Sequence, residues 1–279
     1  MANISDLLSL SNQLQSISDS PRLDCELLLC YVLDVDRAWL RTWPEKEVSQ
    51  EVEDKFCALL EHRVQGQPIA YLIGSRGFWS MDLQVSKDTL IPRPETELLV
   101  ELALSLQLPR KSQALDLGTG TGAIALAIAT ERPDIKVTAV DSMLGAVNLA
   151  NKNCQQLGLI NVDIFQSDWF DAICSKDNQF DLIVSNPPYI SANDPHLQQG
   201  DVRYEPNTAL VSGIDGLDDL KTIIAEGPVY LKPNGWLLLE HGYNQGKAVM
   251  DLMAAAGYQK IATHQDYNQI DRVTLGQWR

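Results

Sequence analysis

The segment Asp116-Leu117-Gly118-Thr119-Gly120-Thr121-Gly122 constrains the chain more than any other. It joins the apolar run Ala114-Leu115-Asp116-Leu117 to an alanine-rich stretch of helical character that starts at Thr121. Three alternating glycines weaken either element, so a turn of this kind has a use for positive φ and for close approach to its backbone. The helix that follows points free N–H groups out of its first turn. A glycine turn that only packs is the plain alternative, and it gives no reason for three such residues. The segment therefore predicts a strand, a ligand-holding loop and a helix.

The same alternation continues downstream. Strands are predicted over residues 114–117, 135–140, 162–165, 180–185 and 235–240. Helices are predicted from Thr121, through Ala146, Leu149 and Ala150, and over residues 247–256. Residues 258–263 and 272–278 close the chain with no helix between them. Apolar strands alternating with helices give an α/β fold, a mostly parallel sheet covered on both faces, and the final pair implies an antiparallel edge strand. The expected organisation is a helical domain over 1–74, a hairpin linker over 75–93 and a catalytic domain over 94–279. Within the first domain, Ser20-Pro21 begins a helix carrying Leu23, Leu27, Leu28 and Tyr31. Ser49 caps another with the stripe Val52, Phe56, Leu59, Leu60 and Val64, and Gly66 stands at its C-terminal end. These helices serve either to dock a partner or only to bury their own face. Pro94 opens a further helix with Glu95 and Glu97 in its first turn.

Charge narrows the partners. Lys and Arg total 22 against 37 for Asp and Glu in 279 residues, a formal net charge of −15. That sign opposes non-specific coating of DNA and anionic membrane, so neither is an expected partner. No apolar run approaches the ~20 residues of a spanning helix, and no basic stretch precedes an apolar one at the N-terminus. The five cysteines (Cys25, Cys30, Cys57, Cys154, Cys174) are odd in number and scattered, as reduced thiols are. His62, His196 and His264 lack partners at ligand spacing, so no metal site is expected. A cytoplasmic monomer is the resulting expectation.

Gly118, Gly120 and Ala123 also satisfy the dinucleotide pattern G-x-G-x-x-G/A, so the loop alone leaves its ligand open. Electrostatics discriminates. Asp116, expected at the mouth of the loop, opposes a pyrophosphate, whereas the ammonium and sulfonium of S-adenosylmethionine suit a carboxylate there. Asp141 ends the next strand, about 20 residues on, where an acid accepts from ribose hydroxyls. Asp168 and Trp169 follow the third strand. A carboxylate there can accept from an adenine amino group, and an indole can cover its ring.

Asn186-Pro187-Pro188-Tyr189 follows the strand Leu182-Ile183-Val184-Ser185. Prolines stiffen the turn and donate nothing, which leaves carbonyl oxygens able to accept. A planar NH₂ group needs two acceptors to fix its plane. The Asn186 side-chain oxygen and the Pro187 carbonyl can supply them, with Tyr189 offering an aromatic face. Glu240-His241, at another strand end, reads either as an acid/base pair or as plain strand-end hydrogen bonding, which suits a reaction needing no base. Arg93 either anchors the linker to the catalytic domain through a carboxylate, the favoured reading, or touches substrate.

Together, Asp116-x-Gly118-x-Gly120-x-Gly122, Asp141 and the Asn-Pro-Pro-Tyr tetrad resemble class I S-adenosylmethionine-dependent methyltransferases acting on planar nitrogens. Adding Gly77-Phe78-Trp79 and Leu90-Ile91-Pro92-Arg93-Pro94-Glu95-Thr96-Glu97, nearly the whole chain is similar to the HemK/PrmC family of release factor glutamine N5-methyltransferases. The resemblance implies a Rossmann-like, seven-stranded methyltransferase domain. It implies a substrate glutamine in the Gly-Gly-Gln motif of class 1 peptide chain release factors, and N-terminal helices that help dock them. By position, Gly118, Thr119, Gly120, Thr121, Gly122, Asp141, Trp169 and one side of Asn186 would contact the donor. Asn186, Pro187, Pro188 and Tyr189 would grip the amide. Glu205-Pro206 and Ala209-Leu210 also resemble a family segment. The tetrad is shared with nucleic-acid methyltransferases acting on adenine N6 or guanine N2, which are the competing enzymatic reading. A sensor that binds the nucleoside without transferring its methyl is the non-enzymatic one.

Overall fold

The helices predicted from Ser20-Pro21 and from Ser49 are present, and the buried face of each departs from the predicted stripe at single positions. The computed structural model describes residues 2–174 and 179–279. Its first unit, Met1–Ser75 with Pro195–Tyr204, contains α1 (Ile4–Ser9), α2 (Pro21–Leu33), α3 (Arg37–Thr42), α4 (Gln50–Val64) and α5 (Ile69–Ile73). Ile4, Leu7, Leu28, Leu29, Phe56 and Leu60 form its own core. On α2 the buried residues are Asp24, Cys25, Glu26, Leu28 and Leu29, while Tyr31 is exposed. On α4 the stripe takes in Arg63, and Val64 faces solvent.

Ion pairing explains both corrections. Arg63 Nε lies 2.8 Å from Asp24 and its Nη1 3.1 Å from Asp201. The Glu26 carboxylate is paired at 2.7 Å with Arg37. Paired charges thus occupy positions that periodicity assigns to solvent. Ser49 caps α4 at Val52 N (3.4 Å), whereas the Ser20 side chain makes no cap bond. Gln65 is the last cap residue of α4, and Gly66 follows it against the guanidinium of Arg203.

In the second unit, Arg76–Asp194 with Glu205–Arg279, the hairpin β1 (Ser75–Phe78) and β2 (Met81–Gln84) is more than a tether. Phe78, Met81 and Leu83 pack into the core against α6 (Glu97–Ser105), with Leu99 and Val100 among their neighbours. A single 3₁₀ turn, Pro94–Thr96, leads into α6.

The chain then alternates: β3 (Gln113–Leu117), α7 (Ala123–Glu131), β4 (Lys136–Asp141), α8 (Leu144–Leu157), β5 (Val162–Gln166) and β6 (Phe180–Ser185). It continues through α9 (Asp218–Tyr230), β7 (Leu231–Glu240), α10 (Gly246–Ala256), β8 (Gln259–Gln265) and β9 (Asp271–Gln277). The sheet order is β5-β4-β3-β6-β7-β9-β8. Pairings from β5 to β7 are parallel, and β9 runs antiparallel to both β7 and the edge strand β8.

Helices cover both faces. Ala114, Val137, Leu182 and Val184 meet α6 and α7, whereas Leu115, Val140, Ile183 and Leu237 meet α9 and α10. Successive strand residues alternate between the two cores, as the pleat requires. No element is predicted over residues 218–230, which form α9 with Pro228 inside it. The structure accommodates that proline in the last turn. The Tyr258 hydroxyl donates to Ile224 O at 3.4 Å, the carbonyl that Pro228 cannot serve.

The order of strands reverses between β3 and β6, and that reversal places the site. Leu117 pairs with Ser185, and Ser185 Oγ donates to Leu117 O at 2.7 Å. The glycine loop and the Asn-Pro-Pro-Tyr tetrad thus leave the sheet side by side, about 5 Å apart, at the switch point where open sheets hold ligands.

Candidate active site

Each side chain around the glycine loop restrains its backbone. Gly118, Gly120 and Gly122 have φ of 70°, 56° and 87°. At Gly122 an added Cβ would also meet Leu126 at 2.8 Å, so only glycine fits. Asp116 is buried beneath the loop, where its Oδ2 accepts from Thr119 Oγ1 (2.6 Å) and Ala125 N (3.2 Å). Asp141 spans two turns. Its Oδ2 accepts from Gly120 N and its Oδ1 from Met143 N, each at 2.9 Å. Burial pushes the Asp141 carboxyl up, and these N–H donors oppose that shift. Asn153 of α8 is buried, and its Nδ2 donates to Thr121 O at 2.8 Å. Its fixing role has no local sequence signature.

Trp169 adopts a φ of 40°, an uncommon backbone region for a non-glycine residue. Ser167 supports that turn, donating to Trp169 O at 2.9 Å and accepting from Ala172 N at 3.0 Å. The indole lies over Gly118, where an added Cβ would touch it at 3.4 Å.

A cavity of ≈ 370 Å³ opens over these strand ends. Its wall includes Gly118, Thr119, Gly120, Thr121, Asp141, Asp168 and Trp169 from the donor side of the prediction, and Asn186 and Pro188 from the tetrad. Asp116, Gly122, Pro187 and Tyr189 stand outside that wall. Pro187 is buried, and the Tyr189 hydroxyl points inward to Glu240 Oε1 at 3.3 Å. Burial, reinforced by the charge of Glu240, pushes the Tyr189 hydroxyl well above its ordinary pKa. An amide in the cavity therefore meets Asn186 and Pro188 before it meets Tyr189.

Asn186 Nδ2 donates to Thr96 Oγ1 at 3.2 Å. Gln245 Nε2 braces the tetrad from behind, donating to Tyr189 O (3.0 Å) and Gly216 O (3.2 Å). Arg93 anchors as expected, 2.5 Å from Glu205, whose other oxygen accepts from Ile91 N at 3.1 Å. His241 is the plain case, with Nδ1 2.9 Å from Gly242 O and Nε2 2.8 Å from Thr274 Oγ1.

These residues fit a cationic nucleoside. The cavity volume falls within the usual range for small-molecule sites. Asp88, Asp141, Asp168 and Asp219 line it against one cation, Arg93, already paired. Beneath the loop, Asp116 Oδ1 is buried without a hydrogen-bond partner, and burial pushes that carboxyl up to about 7. A wall of this sign repels phosphate and favours an ammonium or sulfonium. No group of three or more His, Cys, Asp or Glu side chains among the described residues is placed to hold a metal ion.

The chain is similar to known proteins. The PrmC N-terminal domain model matches residues 7–74, and the Methyltransferase small domain model matches residues 94–200. A release factor glutamine methyltransferase of Pseudomonas aeruginosa is 53% identical over 261 residues, covering 94% of each chain. That of Yersinia pestis is 50% identical over 276 residues, covering 99% of each. A solved methyltransferase from Pyrococcus furiosus superposes with a TM-score of 0.54 at 17% identity, over 79% of this chain and 96% of its own. With a methyltransferase fold and relatives at this identity over nearly the full length, the chain belongs to the release factor glutamine methyltransferase family.

Proposed function

We propose that this enzyme transfers a methyl group from S-adenosylmethionine to the side-chain amide nitrogen (N5) of the glutamine in the Gly-Gly-Gln motif of class 1 peptide chain release factors. The observation that carries the reading is the adjacency of two strand ends. The Leu117–Ser185 pairing starts the glycine loop and the acceptor tetrad one strand spacing apart. Donor and acceptor held there would face one another across the mouth of the cavity.

When bound, the donor supplies a sulfonium-activated methyl, and the transfer forms an N–C bond as the C–S bond breaks. On the donor side, the Gly118–Gly122 backbone would shape the nucleoside seat. Asp141 would accept from ribose hydroxyls, Asp168 from the adenine amino group, and Trp169 would cover a ring face. The unpartnered Asp116 oxygen favours positive charge nearby. On the acceptor side, the Asn186 Oδ1 and Pro187 carbonyl oxygens would accept the two amide hydrogens. That would set the plane of the NH₂ group and enrich its nitrogen. The Pro188 ring would limit the amide's sideways motion. No strong base is required, since the nitrogen becomes acidic only as it gains the methyl and can then release a proton to water.

Alignment of this kind supplies up to ~7–11 kcal/mol of a barrier. The setting we infer is cytoplasmic: Cys25, Cys30, Cys57 and Cys154 stand as thiols, and no helix among the described residues is long and apolar enough to cross a membrane. Incubation with methyl-labelled donor and an unmethylated class 1 release factor tests the function. Label on the Gly-Gly-Gln glutamine is expected. An unlabelled competent factor, or label entering DNA or ribosomal RNA instead, would overturn the reading.

A further inference from the structure

Two loops at the carboxyl edge of the sheet meet beside the tetrad, and each leaves one large apolar side chain in solvent. Residues 214–216 precede α9, and residues 242–245 join β7 to α10. Gln245, itself buried, ties them together. Its Oε1 accepts from Gly242 N at 2.8 Å, and its Nε2 donates to Gly216 O and Tyr189 O. Ser191, just past the tetrad, donates through Oγ to Ile214 O at 2.6 Å. The approach is close on both sides. A Cβ at Gly216 would collide with the Tyr189 carbonyl, and one at Gly242 would reach the Tyr189 ring at 3.6 Å.

Ile214 is nonetheless 81% exposed and Tyr243 67% exposed. Single apolar side chains scattered over a surface are ordinary. Ile160 ahead of β5 and Val229 near the end of α9 are of that kind, at the opposite, amino edge of the sheet. Ile214 and Tyr243 differ, because their loops share one buried amide and both border the tetrad. They also continue the cavity wall outward: Val211, in the same segment as Ile214, lines the cavity and bridges Ile190. The acids beside Ile214 are already engaged, since Lys221 lies 2.8 Å from Asp215 and 3.3 Å from Asp218. What this lip offers a partner is therefore apolar area.

The occupant follows from what the acceptor site can hold. Two oxygens fix the plane of an amide, but the polypeptide that carries the amide must cross the rim. In a Gly-Gly-Gln motif the two residues before the glutamine have no side chains, so the grip has to come from residues farther along that chain. The rim beside the tetrad is the surface they meet. Side chains on loops that are already fixed lose little freedom when covered, which leaves more of their burial for affinity.

We propose that Ile214 and Tyr243 form a docking lip for the release factor, covered by apolar side chains of the loop that carries its Gly-Gly-Gln motif. The inference deepens the function proposed above and rests on it. Neither residue touches the reacting atoms. Gln245 fixes the lip against the tetrad, so a loop seated there presents its glutamine to Asn186.

Steady-state methylation by Ile214→Ser, Tyr243→Ser and the double variant tests the lip, with the release factor as the varied substrate. KM for the factor should rise ~10-fold for either single change, as the loss of one large interface side chain implies, and further in the double variant. Both kcat at saturating factor and donor Kd should stay within about 2-fold, with melting temperature unchanged. Ile160→Ser, at the opposite edge, should leave KM as it is. An unchanged KM in the double variant, a fall in kcat at constant KM, or an equal effect from Ile160→Ser would overturn the proposal. So would a wild-type dimer in sedimentation that Tyr243→Ser dissociates, because a second copy would then cover the lip.

Titration of the release factor into enzyme saturated with S-adenosylhomocysteine reads docking without methyl transfer. The factor should bind ~10-fold more weakly to either single variant. Such weakening, with a factor that the wild type leaves unmethylated, would overturn the function and leave the lip standing. A factor methylated by the wild type and bound equally by every variant would overturn the lip alone.

Discussion

Asn153 allows a counterintuitive ranking of two substitutions. Its side chain makes three hydrogen bonds to main chain. Oδ1 accepts from Gln84 N at 2.8 Å, and Nδ2 donates to Gln84 O at 3.0 Å and to Thr121 O at 2.8 Å. It therefore ties the β2 edge to the glycine loop from beneath. Asn153→Ala strands one N–H and two carbonyls. The Gln84 groups lie at an exposed residue and can recruit water, while the Thr121 bond is buried. Leaving a buried group unsatisfied costs ~1–3 kcal/mol, and the two wetter groups add about 1 kcal/mol together, so a loss of ~2–4 kcal/mol follows.

Asn153→Asp is closer in shape, yet it should be the worse change. It keeps the acceptor for Gln84 N but sets a carboxylate oxygen against two carbonyl oxygens in a buried site, where an unpaired charge is costly. Equilibrium unfolding in urea ranks the two, and calorimetric titration with S-adenosylmethionine reads the loop. Both variants should bind the donor more weakly, and Asn153→Asp should be at least as unstable as Asn153→Ala. An Asn153→Ala loss under ~0.5 kcal/mol, or a milder Asn153→Asp, would refute the reasoning.

Four further outcomes follow from the same contacts. Asn186→Ala should lower kcat by ~10²-fold or more while donor Kd barely moves, because the residue orients the acceptor; stopped-time methylation and titration separate the two. Asp141→Ala frees the Gly120 and Met143 amides and should weaken donor binding by ~1–3 kcal/mol, read as Kd. Arg63→Met leaves Asp24 buried without its partner and should cost ~3–5 kcal/mol in urea unfolding, with Asp24→Asn in the same chain recovering part of it. Burial raises the Glu240 carboxyl from 4.5 to about 7, against the opposing pull of Thr96, Arg272 and Tyr189 and with Glu95 adding to the rise. Between those pH values the native state holds a proton that the unfolded chain has released. Glu240 thus favours folding below pH 4.5 and loses that contribution as pH rises to about 7. Relative to Glu240→Gln, wild type should lose up to ~3 kcal/mol across that window in urea unfolding; a constant difference would contradict the assignment.

Where chemistry and sequence coincide locally, the chain was readable. Residues 118–121 of the glycine loop, Asp141, Asp168, Trp169, Asn186 and Pro188 lie at strand ends that hydrophobic runs predict, and all of them reach one cavity. Asp116 lies beneath the loop instead of at its mouth, so the acidic character that favours a cation comes mainly from Asp88, Asp141, Asp168 and Asp219. Periodicity placed α2 and α4 but missed the charged part of their buried faces, because Asp24, Glu26 and Arg63 are buried as pairs and a hydrophobicity pattern carries no record of pairing. Residues 218–230 carried no assignment, and the carbonyl that Pro228 leaves open in α9 is served by Tyr258, distant in sequence. Thr96, Asn153, Gln245 and Glu240 act through bonds that span 32 to 90 residues. No short window of sequence contains both ends of such a bond.

A crystal structure of the enzyme with S-adenosylhomocysteine addresses the central geometry in one map. The account predicts the nucleoside over the glycine loop, with ribose hydroxyls on Asp141, the sulfur at the mouth between β3 and β6, and Asn186 Oδ1 facing the space beyond it. A sulfur seated elsewhere, or an Asn186 oxygen turned onto Thr96 with its NH₂ toward the sulfur, would contradict it.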